Sequence, residues 1–162
     1  MNKSQLIDLL KLEEHREGGY FSETYRADET LATDRVDSNR NILTSIFYML
    51  TDDRPIGQFH MNQSNIVHYY QGGSPLTYYT INPKGELSKS ILGPNLSKGH
   101  CMQLIVNGGD WKATVLEEGE YGLLGEAVAP GFDYRDMALG KQEELVKKFP
   151  QHEDVIRRCT PS

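Results

Sequence analysis

The sequence predicts an all-β protein, a closed antiparallel barrel or jelly roll with one helix in front and two short helices behind. Three observations lead there. Nine short runs rich in β-branched and aromatic residues follow one another: YFSETYR (20–26), ILTSIFYML (42–50), GQFHM (57–61), IVHYY (66–70), LTYYTI (76–81), SKSIL (88–92), MQLIV (102–106), WKATVL (111–116) and GLLGEAV (122–128). Turn formers separate them, as in TDDRP (51–55), NPKG (82–85), GPN (93–95), NGG (107–109) and EEGE (117–120). No long helical period intervenes, and many short strands at this spacing close on themselves rather than alternate with crossover helices.

From the N-terminus, Leu6, Ile7, Leu9 and Leu10 recur at helical spacing behind Ser4, a candidate N-cap. Residues 5–15 are therefore expected to form a helix packed on one face. Gly18-Gly19 breaks it, because a glycine pair adopts turn geometry at little cost. The barrel is expected over 18–130. Within it DETLATDRVDSNR (28–40) is polar and mostly acidic, which reads as a mobile surface loop. KQEELVKKF and HEDVIRRC flank Pro150 and read as two short helices within 141–159. There is no internal repeat, and 162 residues are expected to form one domain, 1–162, with a single core.

Composition excludes several partners. A chain 38% hydrophobic and 25% charged is ordinary for a soluble protein, and no apolar run approaches the roughly 20 residues of a membrane span. The acid-bearing amphipathic start resembles neither a signal nor a transit peptide, so a cytoplasmic location is expected. With 23 acids against 17 bases, the net charge of −6 and the scattered bases argue against nucleic acid. Cys101 and Cys159 have no companion at zinc-ligand spacing and are expected as small buried thiols rather than a disulfide.

The most informative stretch is GQFHMNQSNIVHYYQG (57–72). Gly57 is followed by His60, then Asn62, then Asn65, and the stretch closes on Gly72. This resembles the first signature of the cupin superfamily, Gly…His-x-His…Glu…Gly, with Asn62 in place of the second His and Asn65 in place of the Glu. REGGYFSETYR (16–26), LTSIFYML (43–50), the strand around Gly109-Asp110-Trp111-Lys112, VAPGFDY (128–134) and the tail EELVKKFPQHEDVIRRCT are similar to one branch, the Cupin-5 family of small cupins. The resemblance implies a double-stranded β-helix barrel, commonly paired into a homodimer, holding a small-molecule ligand. It also places Lys112 where the second signature supplies a third His. Because the cupin barrel hosts many chemistries, the resemblance names no reaction.

The four classical ligand places thus read His60, Asn62, Asn65 and Lys112. One imidazole, two neutral amides and an ammonium make a poor site for a divalent ion. No tightly bound cofactor is expected; a weak metal, if any, would sit at His60 with Asn62 and Asn65. Cupin sugar-nucleotide epimerases that make deoxysugars work without a metal, and a polar barrel with one His resembles that usage. His60 is then the expected general base and Lys112 the group that stabilises developing negative charge. The expected reaction is an isomerisation, epimerisation or elimination on a polar, sugar-like or nucleotide-like compound. A non-catalytic ligand-binding barrel and a metal-dependent oxygenase or isomerase are the alternatives.

Strand alternation extends the site. If His60 and Asn62 face inward, Asn65, Val67 and Tyr69 are expected to follow, with His68 and Tyr70 outside. If Lys112 faces inward, so does Thr114, and Trp111 lies on the other side. Gln103 and Glu126 are polar residues in apolar strands, and Glu23 and Tyr25 share a strand face, so all four join the substrate-binding candidates with Tyr69. Each has a blander reading: a core histidine for His60, an interior amide network for Asn62 and Asn65, an ion pair with Glu126 or Asp110 for Lys112, a structural ion pair for Glu23. His15, His100 and His152 are expected to be solvated.

Overall fold

A computed structural model describes residues 1–161. The chain begins with helix α1 (Lys3–Leu10) and strands β1 (Glu13–Glu14), β2 (Tyr20–Arg26), β3 (Thr30–Ala32) and β4 (Asn39–Asn41). It continues through β5 (Thr44–Thr51), β6 (Ile56–Asn62), β7 (Asn65–Gly73), β8 (Leu76–Ile81) and β9 (Leu87–Leu92). The last elements are β10 (Gln103–Val106), β11 (Trp111–Leu116), β12 (Tyr121–Ala129), β13 (Met137–Leu139), α2 (Gln142–Lys148) and α3 (Glu153–Arg158). Two antiparallel sheets face each other, in the orders β1-β2-β5-β12-β7-β10 and β13-β6-β11-β8-β9, and β3 pairs with β4 as a separate ribbon. The fold is the two-sheet barrel expected.

Inward positions change character along the strands, and this creates the site. At one end Tyr48, Leu50, Leu76, Tyr78, Leu92, Leu116 and Leu124 pack into a dry plug. On β6 and further along β11 and β12 the inward residues become His60, Asn62, Lys112 and Glu126, and the barrel stays hollow. The outer faces are covered separately. Leu145, Phe149, Ile156 and Cys159 lie on Phe59, Ile81, Ala113 and Val115 of the second sheet. Leu6 of α1 and Leu12 lie on Met49 and Leu123 of the first.

Several expectations need correction. The first helix spans Lys3–Leu10, not 5–15, and its cap is Asn2, not Ser4: the Asn2 side chain accepts from the Gln5 amide and Gln5 reaches back. It stops because Lys11 adopts a left-handed conformation whose amide closes on Ile7 and Asp8. Strands β1 and β13 extend the barrel beyond 18–130 at both ends. The segment 28–40 is not a free loop; it builds the β3–β4 ribbon, and Arg40, buried, grips Asp136 through two N–H groups at 2.7 and 2.8 Å. Cys101 and Cys159 are free thiols, and burial pushes Cys159 up to about 11. Among the described residues no helix is long and apolar enough to cross a membrane.

Candidate functional site

The barrel cavity has a volume of about 310 Å³, the small-metabolite end of the range for ligand pockets. Its walls are apolar, from Phe21, Ile46, Ile66 and Val128, while His15, Glu17, His60, Asn62 and Glu126 make a polar floor. Glu23, Arg26, Phe132, Asp133 and Tyr134 ring the mouth. Phe132 and Tyr134 meet edge to face at 4.9 Å, and Arg16 lies 3.9 Å over the Tyr134 ring.

The floor is built around His60. Its Nδ1 lies 2.7 Å from the Gln58 carbonyl, which can only accept, so the ring proton resides on Nδ1. That leaves the Nε2 lone pair facing Glu17 Oε2 at 3.1 Å. A carboxylate and a bare imidazole nitrogen cannot share that distance without a proton between them. Burial pushes Glu17 up to about 8 and pushes His60 well below its ordinary value, with the Lys112 charge adding to the latter. At neutral pH the proton therefore rests on Glu17, which donates to His60, and the pair is uncharged.

Glu17 reaches His60 because of the glycine pair after it. Gly18 has φ of +102°, and a Cβ there would stand 2.1 Å from the Ile56 carbonyl oxygen. Only glycine lets this turn press against β6, where the Glu17 carbonyl accepts from the Gln58 amide at 2.7 Å. Tyr48, buried below, donates to the Gly18 carbonyl at 2.8 Å and holds the turn from the other sheet. The same turn carries His15 into the barrel, edge-on to Phe21 at 4.5 Å; burial pushes it down to about 4.

Behind the floor lies a second group. Lys112 Nζ is 3.4 Å from Glu126 Oε1, and His68 Nδ1 is 3.1 Å from the same oxygen. Burial alone would raise Glu126, but the Lys112 charge and the His68 hydrogen bond outweigh it and hold the carboxyl well below its usual range. Glu126 is thus ionised and accepts from His68 Nδ1–H. Burial keeps His68 neutral, and its Nε2 is enclosed without a partner.

The structure places His60, Asn62, Lys112 and Glu126 inside the barrel, with Thr114 inward and Trp111 on the opposite face. Lys112 does not reach the cavity wall; Glu126 stands between it and a ligand. Asn65, Tyr69 and Gln103 point away from the cavity, contrary to expectation. The chain changes sheet at Gln63-Ser64, so alternation restarts: Ile66 and His68 face in, Asn65, Val67 and Tyr69 face out. Asn65 instead accepts from the Gly108 amide at 2.8 Å, and Gln103 pairs with Tyr69 on the outward face of the edge. Tyr25 is also outside, because a bulge between Glu23 and Tyr25 shifts the register; Glu23 stays at the mouth, paired with Arg26 at 2.7 Å. His15 is buried rather than solvated, while His100 and His152 are half-buried and hydrogen-bonded.

Glu17, His15 and His68 were missed as site residues. The available signal for the first two was the glycine pair, since a strained turn beside a polar cluster marks a chain pressed against something. For His68 the signal was masked by the corner.

These donors do not fit the metal that the superfamily commonly holds. Of its four classical places, Asn65 is outside, Lys112 carries an ammonium, and both ring nitrogens of His60 are engaged. Among the described residues no group of three or more His, Cys, Asp or Glu side chains is placed to hold a metal ion.

A two-sheet antiparallel barrel with a polar-floored cavity between its sheets is a barrel of the double-stranded β-helix class. The chain belongs to the Cupin_5 family of the cupin superfamily (DUF985), which matches residues 4–140. It is 38% identical to an uncharacterised Saccharomyces cerevisiae protein over 88% of this chain and 77% of that one. A Leishmania major hypothetical protein superposes with a TM-score of 0.93 at 27% identity over the whole of both chains. A Shewanella oneidensis protein does so with 0.91 at 30% identity, over 99% of this chain and 98% of that one. Bacillus subtilis oxalate decarboxylase, at 15% identity and TM-score 0.57, shares the fold over 91% of this chain and 37% of its own.

Proposed function

We propose that this barrel catalyses proton transfer on a small polar, sugar-like or nucleotide-like compound, as a metal-independent isomerase, epimerase or lyase. The observation that carries the reading is the uncharged Glu17–His60 pair on the cavity floor, with one proton shared over 3.1 Å. Such a pair is uncharged at rest in a low-dielectric site; it becomes cationic on taking a substrate proton and returns to neutral on giving it back. His60 remains the basic member, as its position in the signature suggests, but Glu17 is the group it works through. Lys112 acts at one remove: its charge keeps Glu126 ionised and helps keep His60 neutral. The aromatic mouth suits stacking of a ring.

The test is deuterium incorporation from heavy water into a panel of sugars and nucleosides, followed by mass spectrometry. The wild type is expected to label at least one compound with or without chelator, and His60→Asn to lose about 10²–10⁴-fold of that rate while keeping its fold. Equal labelling by the variant would sink the reading. A passive binding barrel is the second reading, favoured by Lys112, Glu126 and His68 satisfying one another instead of a ligand. It predicts compounds that raise the Tm and are never labelled.

A further inference from the structure

Two polar atoms of the floor are not used by the Glu17–His60 pair. The Glu17 backbone N–H approaches His15 Nδ1 at 3.2 Å and can only donate, so Nδ1 accepts and the ring proton resides on Nε2. Among the described residues Nε2 has no hydrogen-bond partner, and His15 lines the cavity. Held down near 4 by burial, His15 stays neutral through physiological pH, so this is a neutral N–H donor on a side chain that lines the cavity. The second atom is Asn62 Oδ1, buried on the same floor without a donor. Leaving such an oxygen unpaired is costly, and a ligand N–H or O–H would satisfy it. His15 and Asn62 line the same cavity, so one small molecule can touch both side chains.

The cations nearest the floor are matched, while Arg16 lies over the Tyr134 ring at the mouth. Arg26 at the mouth is held by Glu23 through two hydrogen bonds, and Lys112 by Glu126. Among the described residues that line the cavity, no unpaired Lys or Arg is left for a carboxylate or phosphate at the floor.

Building on the proton-transfer reading above, we propose that His15 is the electrophile of the site and that the substrate is an uncharged α-hydroxy carbonyl compound. Its carbonyl oxygen accepts from His15 Nε2–H, its hydroxyl donates to Asn62 Oδ1, and its α-carbon faces Glu17 and His60. The α C–H bond breaks, the proton passes to the pair, and the bonding electrons move onto the carbonyl oxygen as an enolate held by His15. Return of the proton to the α-carbon regenerates the compound; its return to the neighbouring carbon, with the hydroxyl hydrogen passing to the former carbonyl oxygen, completes an isomerisation with no co-reactant.

The probe is 2-hydroxyacetophenone, whose phenyl ring suits the apolar walls, with 2-methoxyacetophenone as the comparator lacking the donor. Exchange of the α-hydrogens in heavy water is followed by proton NMR. The wild type is expected to exchange the hydroxy compound and to act at least about tenfold more slowly on the methoxy one. His15→Phe should lose about 100-fold in rate with the probe's dissociation constant little changed, and His15→Gln, which keeps an N–H, should recover part of it. Long-range proton–nitrogen NMR of the wild type, which needs no variant, should show His15 protonated at Nε2.

Undiminished exchange in a folded His15→Phe, or an Nδ1–H tautomer, overturns the role of His15. Equal exchange of both probes overturns the contact with Asn62. A wild type that exchanges neither overturns the substrate class. In that last case infrared spectroscopy separates the two levels. If the acid C=O stretch of Glu17 is present at neutral pH and absent in Glu17→Gln, only the substrate class has failed; if it is missing, the proton pair fails with it.

Discussion

Lys112 shows how a residue in a ligand position can serve the site without touching the ligand. Its ammonium sits 3.4 Å from Glu126, and both side chains are nearly removed from solvent. A buried pair of this kind adds little net stability over an apolar pair, but losing one member strands the other. Lys112→Met is therefore expected to cost about 3–5 kcal/mol in urea denaturation, because Glu126 must then be neutralised against its surroundings. Lys112→Met combined with Glu126→Leu should recover most of that loss. A double variant as unstable as the sum of the two singles would mean that the charges do not interact. The same single variant removes a positive charge that depresses His60 and His68, so both should titrate at higher pH than in the wild type.

At the scale of elements, strand β11 divides its side chains between two unlike environments. Lys112 and Thr114 face the barrel interior, whereas Ala113 and Val115 face α2 and α3. The C-terminal helices thus cover the reverse side of the sheet that carries His60. Ile156 is fully buried there, and Ile156→Ala should cost about 2–5 kcal/mol through lost burial and the cavity left behind. Proton–nitrogen NMR of His60 should be unchanged in that variant; a moved tautomer or shift would show that the helices, not β6 itself, hold the ring in place. This level was largely legible in the sequence, because period-two apolar runs and turn residues are local signals. His60 and Asn62 were legible for the same reason, lying on one uninterrupted strand. Asn65 and Tyr69 were misplaced because the chain changes sheet at Gln63-Ser64, and Tyr25 because of the bulge after Glu23. Glu17 was hidden differently: its partner lies 43 residues away in sequence, and only the turn at Gly18 brings the two to 3.1 Å.

Taken as a whole, the barrel interior sums to no net charge at neutral pH: Lys112 balances Glu126, Glu17 keeps its proton, and His15, His60 and His68 are unprotonated. Stability must then vary with pH in a definite way. In the unfolded chain the histidines bind protons near 6.5, but folded His15 refuses one until about 4, and His60 and His68 are likewise depressed. The unfolded state binds more protons below 6.5, so these groups make stability rise as pH rises toward that value. Glu17 has the opposite sign. Folded, it keeps its proton up to about 8, whereas the unfolded carboxyl releases it near 4.5, so its contribution falls between those values. Below 6.5 three histidines outweigh one carboxyl; above 6.5 only Glu17 of these groups remains. The wild type should therefore be most stable near pH 6.5 and lose up to about 2 kcal/mol by pH 8, at about 1.4 kcal/mol per pH unit. In Glu17→Gln, which cannot ionise, the decline from 6.5 to 8 should vanish while the acid side is kept. The check is urea denaturation of both proteins from pH 4.5 to 8.5. Parallel slopes above 6.5 would mean that Glu17 is already ionised in the folded barrel, and a carboxylate facing His60 could not then share its proton at neutral pH as the proposed chemistry requires.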